Sequence, residues 1–195
     1  NKYSEIGGAR MAKSERTNKI VLIAARVFFT VLTAAYLCWI FSNSLETGAQ
    51  STVSSDKVQQ TMQGAADKVF GEGNVTVTRR FVRKGAHFSE FALLGFLSFF
   101  TFYLYFLAKK NSCFLCFCAA SAIALAGGAA DETIQIFIDG RAASVLDAFL
   151  DFGGGECGIF VAWSVFAIGF AVIKKSKRKR MNAGMRQNAE RSEEE

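Results

Sequence analysis

Ionisable side chains that could do acid–base chemistry lie in two short stretches of an otherwise apolar sequence. In the first stretch, Lys84, His87 and Glu90 are spaced i, i+3 and i+6, so they share one face of a helix. His87 is the single histidine of the chain. Histidine and carboxylate side chains can act as general acids and bases. The spacing therefore predicts one polar helix face with proton-transfer groups.

The second stretch, residues 131–151, contains more acidic side chains than the first. If it is helical, Asp131 and Gln135 share a face, and so do Asp147 and Asp151. We do not expect five acids at one depth of a low-dielectric site to be ionised together without cations. The five acids are Asp131, Glu132, Asp139, Asp147 and Asp151.

Two residues between these acids give the stretch its turn and its positive charge. Gly140 favours a turn, and Arg141 could neutralise carboxylates or bind a phosphate through its planar guanidinium group. Two interpretations stay open: a functional polar site, or an ion-paired network that only locks the helices together.

Four apolar runs must position these polar groups. The sequence is 51% hydrophobic and 13% aromatic, more than soluble domains of this size carry. Runs at 20–41, 88–108, 113–130 and 157–173 are long enough to cross a bilayer as helices, and the chain has no proline. The first run is too long for a signal-peptide core, so we expect it to be retained. We predict an all-α membrane bundle of four transmembrane helices.

The basic residues suggest an orientation and a domain plan. The segment 1–19, the connection containing Lys109 and Lys110, and the stretch 174–180 are all basic, which places both termini in the cytoplasm. Segments 42–84 and 131–146 then lie outside. We expect a cytoplasmic segment 1–19, a membrane domain 20–173, and a tail 174–195 that is basic and then disordered over 181–195. Such basic ends contact anionic lipids, so we expect no nucleic-acid partner.

The outer segment between the first two spans has two features of its own. Val58, Met62, Ala65 and Val69 recur at helical spacing, which predicts a short amphipathic helix on the outer membrane surface. Basic side chains before the second span run against the positive-inside pattern, and we expect them to dock anionic headgroups. They are Arg79, Arg80, Arg83 and Lys84.

Cysteine and glycine spacings give further expectations. Cys113, Cys116 and Cys118 are not matched by a second Cys/His pair at zinc-site spacing, so we expect no metal and no cofactor. Gly154 and Gly158 form the small-x-x-x-small pattern that lets helices approach closely. The same glycine face offers a surface for a homodimer.

Both polar stretches resemble the VanZ-like family. Residues 83–95 read RKGAHFSEFALLG, similar to the family pattern R-K-x-A-H-F-x-E-Y-x-x-L-G. The second motif runs from Asp131 and Glu132 through Gln135, Gly140, Arg141 and Ser144 to Asp147, followed by Gly154-x-x-x-Gly158. Residues 40–44, IFSNS, give weaker support, and the resemblance covers about residues 20–173. Phe91, Asp139 and Asp151 stand where the family usually has Tyr, Pro and Asn.

This resemblance implies a bacterial cytoplasmic-membrane protein, and some family members are linked to resistance to teicoplanin-like lipoglycopeptides. It implies no established reaction. Our first hypothesis is an outward-facing polar pocket that engages a lipoglycopeptide or a lipid-linked wall precursor, in contact with membrane lipids. The pocket residues would be Lys84, His87, Glu90, Asp131, Glu132, Gln135, Arg141 and Asp147.

Two other classes of function remain. An intramembrane enzyme would use Glu90 or Asp131 as base, His87 as acid and Arg141 on a phosphate or oxyanion. A proton-coupled carrier would use the same ionisable groups as a relay, but the sequence shows no inverted repeat.

Overall fold

The computed structural model describes residues 2–107, 112–141 and 143–193, and every regular element in these ranges is an α-helix. Lys109 and Lys110, two of the basic residues that suggest the orientation, lie outside the described residues. The helices are α1 (Lys2–Ser44), α2 (Gly48–Phe70), α3 (Arg79–Phe106), α4 (Ser112–Gln135) and α5 (Val145–Glu193).

Four of these helices are long and apolar enough to cross a membrane, which confirms the predicted fold class. The spans are Glu15–Ser44, Arg79–Phe106, Ser112–Gln135 and Val145–Lys179. Each is longer than the apolar run that predicted it. The apolar run marks only the part that lipid requires. Polar residues continue the same helices, buried at Asp131 and Asp151 but exposed over 15–19 and 174–179. Large side chains such as Phe28 and Phe170 remain exposed on the spans, as expected for lipid contact.

The helix α3 lies at the centre of the bundle and contacts each of the other helices. Its closest approach is to α5. A Cβ atom on Gly158 would overlap the carbonyl group of Ala92, and one on Gly154 would overlap that of Phe88. The glycine face of α5 is therefore covered by α3. It is not free to form the dimer interface that the sequence suggested, and a dimer would need another surface.

Hydrogen bonds fix α1 against α3. Arg26 Nε donates to the carbonyl of Leu104 at 2.9 Å, and the hydroxyl groups of Thr33 and Thr101 are 2.9 Å apart. Nearer the end of α1, Ile40 packs against Phe91 and Leu94 in a small buried cluster. These contacts place the C-terminal end of α1 beside the first polar motif.

The predicted amphipathic helix between the first two spans is present as α2. It begins with a capping box in which Thr47 and Gln50 satisfy each other's backbone N–H groups. Its polar face holds the following connection, since Gln63 accepts from the N–H of Val77 and donates to the carbonyl of Val75. Its apolar residue Val69 is 74% exposed. Contact of this face with the membrane surface stays a prediction.

The segment after the last span differs from the sequence-based expectation. We expected 181–195 to lack regular structure, but α5 continues to Glu193. The segment is rich in Ala, Met, Arg, Gln and Glu and has no proline, so it can extend a helix that the span has already nucleated. Low hydrophobicity alone did not reveal this.

Candidate functional site

Four helix ends meet at one end of the bundle, which we call the polar end. There α1 and α4 finish and α3 and α5 begin. The turn between α4 and α5 is made by Gly140, whose φ of 76° is open to glycine at little cost. The first residue of α2 is tied to this turn, because the N–H of Gly48 donates to the carbonyl of Asp139 at 3.1 Å. Both predicted polar motifs lie at this end.

Asp131 is one of two fully buried aspartates of the site, the other being Asp151. Two other side chains donate to the Asp131 carboxylate. Ser44 Oγ, at the end of α1, bonds to Oδ1, and Gln135 Nε2, one turn later on α4, bonds to Oδ2 at 2.8 Å. The predicted shared face of Asp131 and Gln135 is thus present in the structure, and α1 completes it.

His87 lies between two buried carboxylates. Its Nδ1 is 3.7 Å from Asp131 Oδ2 and 3.8 Å from Asp151 Oδ1. His87 Nδ1 and both carboxylate oxygens of Asp151 are buried, and none of them has a hydrogen-bond partner among the described residues. A buried polar atom without a partner costs about 1–3 kcal/mol. These three atoms therefore form an unsatisfied centre where α3, α4 and α5 meet.

Two other motif acids hold the helices together. Lys84 on α3 forms an ion pair with Asp147 on α5. Glu132 on α4 accepts from the backbone N–H of Ser144, just before α5, at 2.7 Å. This part of the polar end fits the interpretation of a network that locks helix packing.

Glu90 and Arg141 meet the same residue of α1. Asn43 Nδ2 donates to Glu90 Oε1 at 3.4 Å, and Arg141 donates to the backbone carbonyl of Asn43 at 3.2 Å. Tyr36 also donates to the backbone carbonyl of Glu90 at 3.3 Å. Asn43 thus joins the first motif to the second.

Among the cavities at the polar end, two share Arg83, His87 and Arg141 in their walls. The larger has a volume of 660 Å³ and lies between α2 and α3, with Glu90 and Asn43 in its wall. The smaller has a volume of 250 Å³ and contains most of the remaining motif residues. They are Lys84, Glu132, Gln135, Asp147 and Asp151.

The structure brings all eight predicted pocket residues to the polar end, but their surroundings differ. Seven line a cavity, whereas Asp131 lies behind His87 and is fully buried. Sequence reasoning did not include Asn43 and Ser44 in the pocket, although both belong to the IFSNS stretch. Polar residues at the end of an apolar run were the available signal. Phe91, which stands in place of the usual Tyr, is fully buried.

No curated protein and no solved structure shows a significant match to this chain. The sequence does match one protein family, VanZ/LLP1, over residues 27–168. The matched region includes the four candidate spans in large part and all residues that line the smaller cavity. Since this match covers more than two thirds of the chain, the protein belongs to the VanZ/LLP1 family.

Proposed function

We propose that this protein is a bacterial cell-envelope membrane protein whose polar end faces outward and binds a lipid-linked ligand that carries phosphate. The supporting observation is the composition of the larger cavity. Arg83, His87 and Arg141 lie on its wall together with apolar side chains of α2 and α3, including Val58, Met62 and Phe81. Such a cavity suits a ligand with an anionic head and an apolar chain.

The position of the cavity supports a lipid ligand. It lies at the end of the bundle where α2 sits beside the spans, and exposed apolar side chains surround it. A molecule with a lipid tail could reach it from the outer leaflet without leaving the membrane. This route requires both termini to be cytoplasmic, as the basic residues predict.

Family membership suggests a biological consequence, which is reduced susceptibility to teicoplanin. A sensitive Gram-positive host would express wild type, His87→Ala, Asp131→Asn or the control Lys68→Gln, with membrane levels matched by immunoblot. Lys68 is exposed on α2 and does not line either cavity. We expect wild type and Lys68→Gln to protect against teicoplanin but not vancomycin, and the other two variants to lose protection. Absence of protection by wild type would contradict the resistance role.

One observation favours an enzyme as a second candidate. Glu90 and His87 line the same cavity, so a base and an acid would face one substrate. Arg141, in the same wall, could stabilise a phosphate or oxyanion. Purified protein would then convert a lipid-linked wall precursor, and Glu90→Gln would abolish product while retaining substrate binding. If wild type binds the precursor but forms no product, the enzyme candidate is contradicted and only the binding function remains.

A further inference from the structure

The unsatisfied atoms of His87 and Asp151, together with the carboxylate of Asp131, have the composition of a metal site. Each residue offers one ligand atom, and the three atoms lie within 4.8 Å of one another. The distances from His87 Nδ1 to the two carboxylates are 3.7 and 3.8 Å. Two ligands of a tetrahedral ion with bonds of about 2.1 Å are roughly 3.4 Å apart, so a small inward movement would complete the geometry.

Asp151 gives the strongest indication of a missing partner. It is fully buried, and within residues 2–107, 112–141 and 143–193 neither of its carboxylate oxygens has a hydrogen-bond partner. Two basic side chains of the smaller cavity are engaged elsewhere, since Lys84 pairs with Asp147 and Arg141 donates to the carbonyl of Asn43. Arg83 also lines this cavity, but in the part of the chain that the structure describes it forms no ion pair with Asp151. A buried carboxylate stays ionised only when it is paired or coordinates a metal. A cation between the three residues would give a partner to Asp151 Oδ1 and His87 Nδ1, and it would also contact Asp131 Oδ2.

The neighbours of Asp131 are those that a metal ligand needs. Ser44 and Gln135 donate to its two oxygens, which fixes the carboxylate plane while Oδ2 still faces His87. Metal-binding carboxylates are commonly oriented by such outer hydrogen bonds. The ligands come from three helices at similar depth, so one ion would cross-link α3, α4 and α5.

We propose that His87, Asp131 and Asp151 together bind one divalent transition-metal ion, with Zn²⁺ as the best-fitting probe. An imidazole ligand favours Zn²⁺ and its neighbours over Mg²⁺ or Ca²⁺, which prefer oxygen ligands. Three protein ligands leave a coordination position open. His87 and Asp151 line the smaller cavity, so that position faces it.

This site departs from the expectation of no metal, which rested on cysteine spacing. The grouping joins residues that are far apart in sequence, and Asp151 stands where the family usually has Asn. Metal binding does not depend on the proposed lipid ligand.

The test uses the full chain, purified in detergent, stripped with a chelator and titrated with Zn²⁺ in competition with a fluorescent chelator. We expect about one Zn²⁺ per wild-type chain. His87→Ala and Asp151→Asn should weaken binding by more than roughly 100-fold, because each removes a direct ligand. The control Asp139→Asn removes an exposed carboxylate of the adjacent turn and should bind like wild type.

Two further readouts support the titration, and the first needs no variant. Zn²⁺ should raise the melting temperature of stripped wild type, because it binds only the folded chain. Co²⁺ should give a visible absorption spectrum in wild type that His87→Ala lacks. The proposal is overturned if wild type takes up no Zn²⁺, or if well-folded His87→Ala and Asp151→Asn bind as wild type does. Lipid is absent from all these experiments, so their failure leaves the proposed function standing.

Discussion

Gly158 on α5 lies directly against the backbone carbonyl of Ala92 on α3, with no space for a side chain between them. The contact is one turn beyond Gly154, which approaches Phe88 in the same way. Phe88 follows His87, and Asp151 lies on the same helix as the two glycines. The distance between His87 and Asp151 is therefore set by how closely these two helices pack.

Replacing Gly158 should loosen this helix pair. In Gly158→Ala the new methyl group overlaps the carbonyl of Ala92, so α5 must shift, at a cost of about 1–3 kcal/mol. The matched control is Gly153→Ala, where an added Cβ meets nothing within 4 Å. Alanine is the better helix former, so the control should be neutral or slightly more stable. Thermal unfolding in detergent measures both. Equal melting temperatures for the two variants would contradict the packing described.

Ser44 should stabilise the bundle through Asp131. Ser44→Ala leaves a carboxylate oxygen of a fully buried residue without its donor, which costs about 1–3 kcal/mol. Ser42→Ala is the control, since that hydroxyl is exposed and bonds only to the carbonyl of Cys38 in its own helix. A lower melting temperature is expected for Ser44→Ala alone. Similar melting temperatures for both variants would show that α1 does not support Asp131.

The ion pair between Lys84 and Asp147 should couple α3 to α5 weakly. Both side chains are partly exposed, at 37% and 27%, so solvent screens the attraction. We expect a coupling free energy of at most about 1 kcal/mol from a double-mutant cycle with Lys84→Gln and Asp147→Asn. Unfolding free energies of the four proteins at low and high salt provide the measurement. A coupling that is absent at low salt would contradict the pair.

The orientation can be tested with single cysteines in a chain whose native cysteines have been replaced. Glu72→Cys lies in the turn between α2 and α3, and Lys177→Cys lies on α5 at the opposite end of the bundle. A membrane-impermeant maleimide should label Glu72→Cys in intact cells. Lys177→Cys should react only after the cells are permeabilised. The reverse pattern would place the polar end in the cytoplasm and contradict an outward-facing pocket.

The sequence predicts the bundle better than it predicts the site. Four apolar runs were enough to predict the spans, because a helix that crosses the lipid must be apolar. Helical spacing also predicted that Asp131 lies beside Gln135. Spacing along one helix could not show which helices meet. It therefore missed that Ser44 and Asn43 of α1 contact Asp131 and Glu90, and that Asp151 faces His87. Glycine spacing indicated a close contact without identifying α3 as the partner.

The helical course of α5 beyond the last span shows a different limit. Composition correctly marks residues 181–195 as too polar to form a core, but a helix attached to a stable span does not need one. Helix propensity was the more useful signal here.

A direct binding titration tests whether the polar end binds a lipid-linked phosphate. Fluorescent polyprenyl phosphate, the matching polyprenol without phosphate, and a fluorescent lipoglycopeptide would each be titrated into the purified full chain. Arg83→Gln and Arg141→Gln remove charges from the cavity wall, and Lys68→Gln removes one outside it. We predict that wild type and Lys68→Gln bind the phosphate more tightly than the polyprenol. In both arginine variants the affinity for the phosphate should fall by about tenfold or more. Equal binding of phosphate and polyprenol, or binding of the lipoglycopeptide alone, would contradict the claim.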